Sequence, residues 1–98
     1  MSTDIVWKRC RLYRRNKDED GYEPIVRMTQ RFIPENFPLA HVSIAKFRCQ
    51  RKYKRFTDDK FWTVFMYDNE TYETVVNEDF ATFEEARALA DTLVLLNN

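Results

Sequence analysis

Residues 45–56 read AKFRCQRKYKRF and hold six Lys or Arg and no acid. A cation run of this density is anion-binding chemistry. It suits a phosphate backbone, which releases its counterions on contact, or a protein surface rich in carboxylates. A second run, KRCRLYRR at residues 8–15, sets five cations around Tyr13. Arg27 and Arg31 lie between the two runs. The candidate partner-binding residues are therefore Arg11, Arg14, Arg27, Arg31, Lys46, Arg48, Lys52, Lys54 and Arg55, with Tyr53 as an aromatic able to stack on a base.

Other chemistry finds less support. NKDEDG sets Asn16, Asp18 and Asp20 at alternate positions before Gly21, as a calcium loop does. The closing ligand of such a loop is a Glu, and Arg27 stands there instead. The segment reads as a solvated turn. Cys10, Cys49 and the single histidine, His41, form no CxxC or zinc-type spacing, and the two thiols read as reduced core residues. Glu84 and Glu85 are adjacent, so on a helix they diverge and cannot share a substrate. Asn69-Glu70-Thr71 is a sequon that reads as a turn. No metal, cofactor or catalytic constellation is expected, and the chain reads as a non-enzyme.

The 98 residues suit a single domain, 1–98. Apolar residues make up 44% and aromatics 15%, enough to bury a core and too many for a disordered chain. One glycine excludes a Gly-rich phosphate loop. No apolar run is long enough to span a membrane, and MSTDIVWKRC carries no apolar signal core. The expectation is a soluble cytoplasmic protein with no membrane partner. The net charge of zero hides an asymmetry. Residues 1–56 hold 14 Lys+Arg against 6 Asp+Glu, a surplus of +8, and residues 57–98 hold 2 against 10, a deficit of −8. Either the two halves neutralise each other on folding or they present different faces.

The elements that must position the cations follow from periodicity. Asp4–Arg15 is β-friendly, and Asp20-Gly21 marks a turn. In EPIVRMTQRFI, Val26, Met28 and Phe32 share one face of a strand, and Arg27, Thr29 and Arg31 the other. Pro34 and Pro38 break the pattern. From Val42 to Tyr53 the residues Ala45, Phe47, Cys49 and Tyr53 alternate with Lys46, Arg48, Gln50, Lys52 and Lys54. A helix over 42–55 competes, because Leu39, Val42, Cys49, Tyr53 and Phe56 keep heptad spacing, but Lys46 interrupts it. FWTVFMYD and TYETVV read as two more strands. Thr82 and Glu85 form a capping box that opens a terminal helix. Its inner face is Phe83, Ala86, Leu89, Ala90, Leu93 and Leu96. Leu95 then points outward with Val94 beside it, to be covered either by the Pro34–Pro38 loop or by a second protomer, a homodimer through the C-terminal helix.

The fold class expected is α+β: a mostly antiparallel five-stranded sheet, β-β-β-β-β-α, with the one C-terminal helix packed on a face. If the first three strands are neighbours, the cations collect on one sheet face. That reading makes the chain a small regulatory or binding protein that engages an acidic or nucleic-acid-handling protein through the basic face. The alternative is direct RNA or DNA binding by the Tyr-interleaved strands. Zero net charge sets this order, because a dedicated nucleic-acid binder carries a basic domain. KFWTVFMYD followed by an acidic helix is similar, over about a third of the chain, to phage-encoded inhibitors of bacterial RNA polymerase. That resemblance implies an inhibitor of host machinery.

Overall fold

The computed structural model describes residues 4–10, 26–49 and 54–97. The calcium-like loop and the candidate residues Arg11, Arg14, Lys52 and Tyr53 lie outside the described residues. Five strands precede one helix: β1 (Trp7–Cys10), β2 (Val26–Pro34), β3 (Val42–Cys49), β4 (Lys60–Tyr67), β5 (Thr74–Phe80) and α1 (Phe83–Leu96). They form one antiparallel meander in the order β1-β2-β3-β4-β5, with α1 packed across it, an α+β fold. Val42–Cys49 is a strand, so the alternating pattern prevails over the heptad pattern there. No helix among the described residues is long and apolar enough to cross a membrane.

The core lies between α1 and one sheet face. Val42 and Ile44 of β3 and Val64 of β4 meet Ala86, Ala90 and Val94 of the helix, all 2% exposed or less. Phe32, Trp62, Met66, Phe80, Phe83, Leu89 and Leu93 ring them. The helix register differs from its expected inner face. Val94 is wholly buried, whereas Leu96 is 75% exposed. Ala86, Ala90 and Val94 stand at i, i+4 and i+8, and their small side chains let the helix axis approach the sheet closely. The larger Phe83, Leu89 and Leu93 then flank that stripe. Leu95 is half exposed, as its outward position requires.

Local chemistry fixes the ends. Thr82 caps α1 by accepting the Glu85 N–H at 3.3 Å, and its hydroxyl donates to Glu85 Oε1 at 2.9 Å. Asn36 ties the N-terminal segment to the β2–β3 loop: its side chain accepts the Val6 N–H at 2.9 Å and donates to the Asp4 carbonyl at 2.8 Å. Trp7 donates its indole N–H to Asp91 of α1 at 2.7 Å, which ties the edge strand to the helix.

Candidate functional site, a basic row across the sheet

Which face each cation occupies follows from the register. In an antiparallel pair, opposed residues share a face, and successive residues alternate. Ile44 faces the helix, so Lys46 and Arg48 lie on the helix side of β3. Arg27 pairs with Arg48, and Arg48 pairs with Lys60. Three cations therefore stand in one cross-strand row on β2, β3 and β4. The next row inward runs Gln30, Lys46, Trp62 and Phe80. Trp62 packs against the core and receives Lys46 Nζ at 5.6 Å and Lys60 Nζ at 6.0 Å from its ring centroid. Both are cation–π distances.

The expected single basic face divides in two. The β2–β3 register shifts between Met28 and Gln30, and Thr29 is the extra residue. Its hydroxyl donates to the Lys46 carbonyl at 3.3 Å. A bulge reverses the parity of everything beyond it. Arg27 pairs with Arg48 on the helix side, whereas Arg31 pairs with Ala45 on the other side. Val26 and Met28 likewise part from Phe32.

The face away from the helix is aromatic. Phe47 stacks on Phe61 at 5.3 Å and meets Phe65 edge-on at 6.3 Å, and Phe65 stacks on Tyr67 at 6.5 Å. Arg55 and Phe56 lie against this layer. Phe56 lies 6.0 Å from Phe61. Arg55 sits over the Phe61 ring at 5.2 Å and pairs with Asp79 of β5 at 3.0 Å, where Thr63 also donates to Asp79 at 2.6 Å. Arg55 is thus a structural strap, engaged within the chain. Lys54, beside it, is exposed.

Of the candidate residues, the structure brings Arg27, Lys46 and Arg48 together, places Arg31 on the opposite face and ties Arg55 inward. Lys60 of the row and Trp62 beside it were not among the sequence candidates. Lys60 sits in TDDK, which reads as a turn, yet it is the first residue of β4. The usable signal was the phase of FWTVFMY, which makes Lys60 and Trp62 share a face.

Opposed like charges on neighbouring strands are unfavourable. Among the described residues, the ion pair at this row is Arg48 with Asp59, long at 3.9 Å and more than half exposed on the arginine side. Arg27 has no ion pair among the described residues. Such a row can hold an anionic surface spanning three strands, with the Trp62 ring as a flat apolar contact beside it. No protein-family model, curated protein or solved structure matches this chain.

Proposed function

We propose that this chain is a small non-enzymatic binding protein that engages an acidic protein surface through the row Arg27, Arg48 and Lys60, with Lys46 and Trp62 beside it. The partner class that suits it is an acidic or nucleic-acid-handling protein. The single observation that carries this reading is the row itself, three opposed cations whose one ion pair among the described residues is the long, exposed Arg48–Asp59 contact. Three opposed cations weaken the sheet, and an anionic partner removes that penalty on binding. Arg and Trp are also the side chains most enriched where binding energy concentrates.

Direct nucleic-acid binding is the competing reading, and the Trp62 ring favours it in one respect, since a base can stack there. Charge favours the protein partner. The helix opens with Glu84 and Glu85, and Asp59 adjoins the row, so a long polyanion tracking across the surface meets acids within a few residues. A compact acidic patch does not.

The test is a titration of the purified chain with polyglutamate and, in parallel, with single-stranded and double-stranded DNA and RNA. Salt-sensitive binding of polyglutamate should be lost in a triple variant, Arg27→Ser, Arg48→Ser and Lys60→Ser. It should survive in Arg31→Ser, whose cation is on the other face. Tighter binding of a nucleic acid through the same three residues would replace the protein reading with its alternative. No binding to any of these polyanions at low salt would remove both.

A further inference from the structure

We propose that the cleft on the sheet face away from the helix binds a small organic anion, with a carboxylate or phosphate head on a flat apolar body. The cleft has a volume of about 310 Å³. That is roughly ten water volumes and stands at the lower end of ligand pockets. Its floor is Ile33 of β2 and Ser43 of β3, the latter 4% exposed. One wall carries two cations, Lys8 and Arg31, with Glu35 beside Lys8. Lys8 is opposed to Ile33, and Arg31 lies two residues before Ile33 on the same face. The other wall is Tyr67 of β4 and His41, which precedes β3.

Three features suit this site to an anion. The Arg31 guanidinium takes part in no hydrogen bond or ion pair among the described residues, so its planar fork is free for a bidentate oxyanion contact. Among the described residues Lys8 is held by Glu35 alone, at 3.5 Å with both side chains more than half exposed, a pair that an incoming anion can replace. His41 adopts the left-handed region, φ 56°, and its carbonyl accepts the Tyr67 N–H at 3.2 Å. That conformation is unfavourable for a non-glycine residue, and here it keeps the imidazole, a further N–H donor, on the cleft wall. Ile33, Pro38 and Tyr67 supply the apolar surface for a ring. Because Arg31 and Lys8 are set on paired strands, the anion site is preorganised. It is independent of the basic row, which lies on the other side of the sheet.

The experiment follows backbone amide shifts of Ser43, His41 and Tyr67 while the full chain is titrated with benzoate, phenyl phosphate and, as neutral control, benzamide. Saturable shifts at these amides are expected for at least one of the two anions, with a Kd on the order of 1 mM for so small a probe. Saturation by both identifies an anion site in general, and saturation by phenyl phosphate alone identifies a dianion site. Arg31→Ala should weaken binding about tenfold, the loss of one charge-assisted contact. Arg27→Ala should leave it unchanged, because its side chain is on the far face. Glu35→Gln should tighten it by releasing Lys8. Shifts that stay linear with concentration, or benzamide binding as well as benzoate, would refute the proposal. So would an Arg31→Ala variant that keeps a native spectrum and full affinity.

Discussion

Arg48 is the middle of the cationic row, opposed to Arg27 on one strand and Lys60 on the other. Replacing it by threonine removes two like-charge oppositions and keeps a β-favourable side chain. Each opposition costs on the order of 0.5 kcal/mol. The same substitution loses the Arg48–Asp59 contact, which at 3.9 Å and with side chains 57% and 46% exposed contributes a few tenths of a kcal/mol at about the exposed-pair average. The net expectation is a gain of about 0.5 kcal/mol at low salt, which for a domain of this size is roughly 2–4 °C in Tm. Thermal unfolding followed by circular dichroism measures it. The gain should shrink as salt shortens the Debye length from about 30 Å at 0.01 M to about 3 Å at 1 M. Arg48→Lys keeps the row and should show no gain. An Arg48→Thr variant that is less stable than wild type at low salt would refute the reasoning. So would a gain indifferent to salt, which would assign the effect to strand propensity alone.

Three further outcomes follow from the packing and the turns. Val94→Ala removes two buried methyl groups from the helix–sheet contact and should cost about 1.5–2.5 kcal/mol, whereas Leu96→Ala should cost less than about 0.5 kcal/mol, both read from urea unfolding. Comparable losses at the two positions would contradict the helix register. Asp68 accepts the Thr71 N–H at 3.0 Å and the Glu70 N–H at 2.8 Å, and these bonds, the Thr71 one foremost, lower its pKa below the ordinary 3.8. A depressed carboxyl stabilises the fold above its unfolded pKa and loses that contribution as pH falls through the folded one. Asp68→Asn should therefore be less stable than wild type at pH 7, and the difference should close below about pH 3.8. A constant difference would mean that the charge is not involved. Leu95 is 49% exposed and Leu96 75% exposed on the last helical turn. If this edge seats a second copy, sedimentation of wild type at high micromolar concentration should give a dimer that Leu95→Asp dissociates, and a monomeric wild type ends that reading.

The fold was legible in the sequence because each element carries its own signal. The alternation of KFRC, the aromatic run FWTVFMY and the Thr82–Glu85 cap each specify one local structure. The site was only partly legible, and the reasons are local. β3 carries apolar residues on both parities, Val42 and Ile44 on one, Phe47 and Cys49 on the other. Periodicity alone cannot say which of these faces the helix. The helix chose Val42 and Ile44, so Lys46 and Arg48 share its side. The Thr29 bulge has no sequence mark, since bulges depend on what the partner strand offers, here the Lys46 carbonyl. Helical spacing from Phe83 puts Leu93 and Leu96 on the inner face, whereas the stripe that packs on the sheet is Ala86, Ala90 and Val94, at i, i+4 and i+8.

The charge asymmetry between the halves of the chain has a structural resolution. Two ion pairs among the described residues join the basic half to the acidic half, Arg48–Asp59 and Arg55–Asp79. The others, Lys8–Glu35 and Arg87–Asp91, stay within a half. Among the described residues, contact-by-contact neutralisation between the halves is therefore confined to these two pairs. The meander sets them side by side instead. Strand order follows chain order, so β1 and β2, with Lys8, Arg9, Arg27 and Arg31, lie toward one edge, and β3, with Lys46 and Arg48, is central. β5, with Glu78 and Asp79, forms the other edge, and the acidic start of α1 follows it directly in the chain. Among the described residues, a meander with this sequence turns the charge gradient along the chain into a gradient from the β1–β2 edge to the β5 edge, a dipole across the sheet. Net charge governs non-specific attraction to polyanions, and here it is zero. A dipole orients the molecule in the field of a charged partner without drawing it to every polyanion. That separation of orientation from attraction suits the proposed engagement of one acidic surface by the basic row.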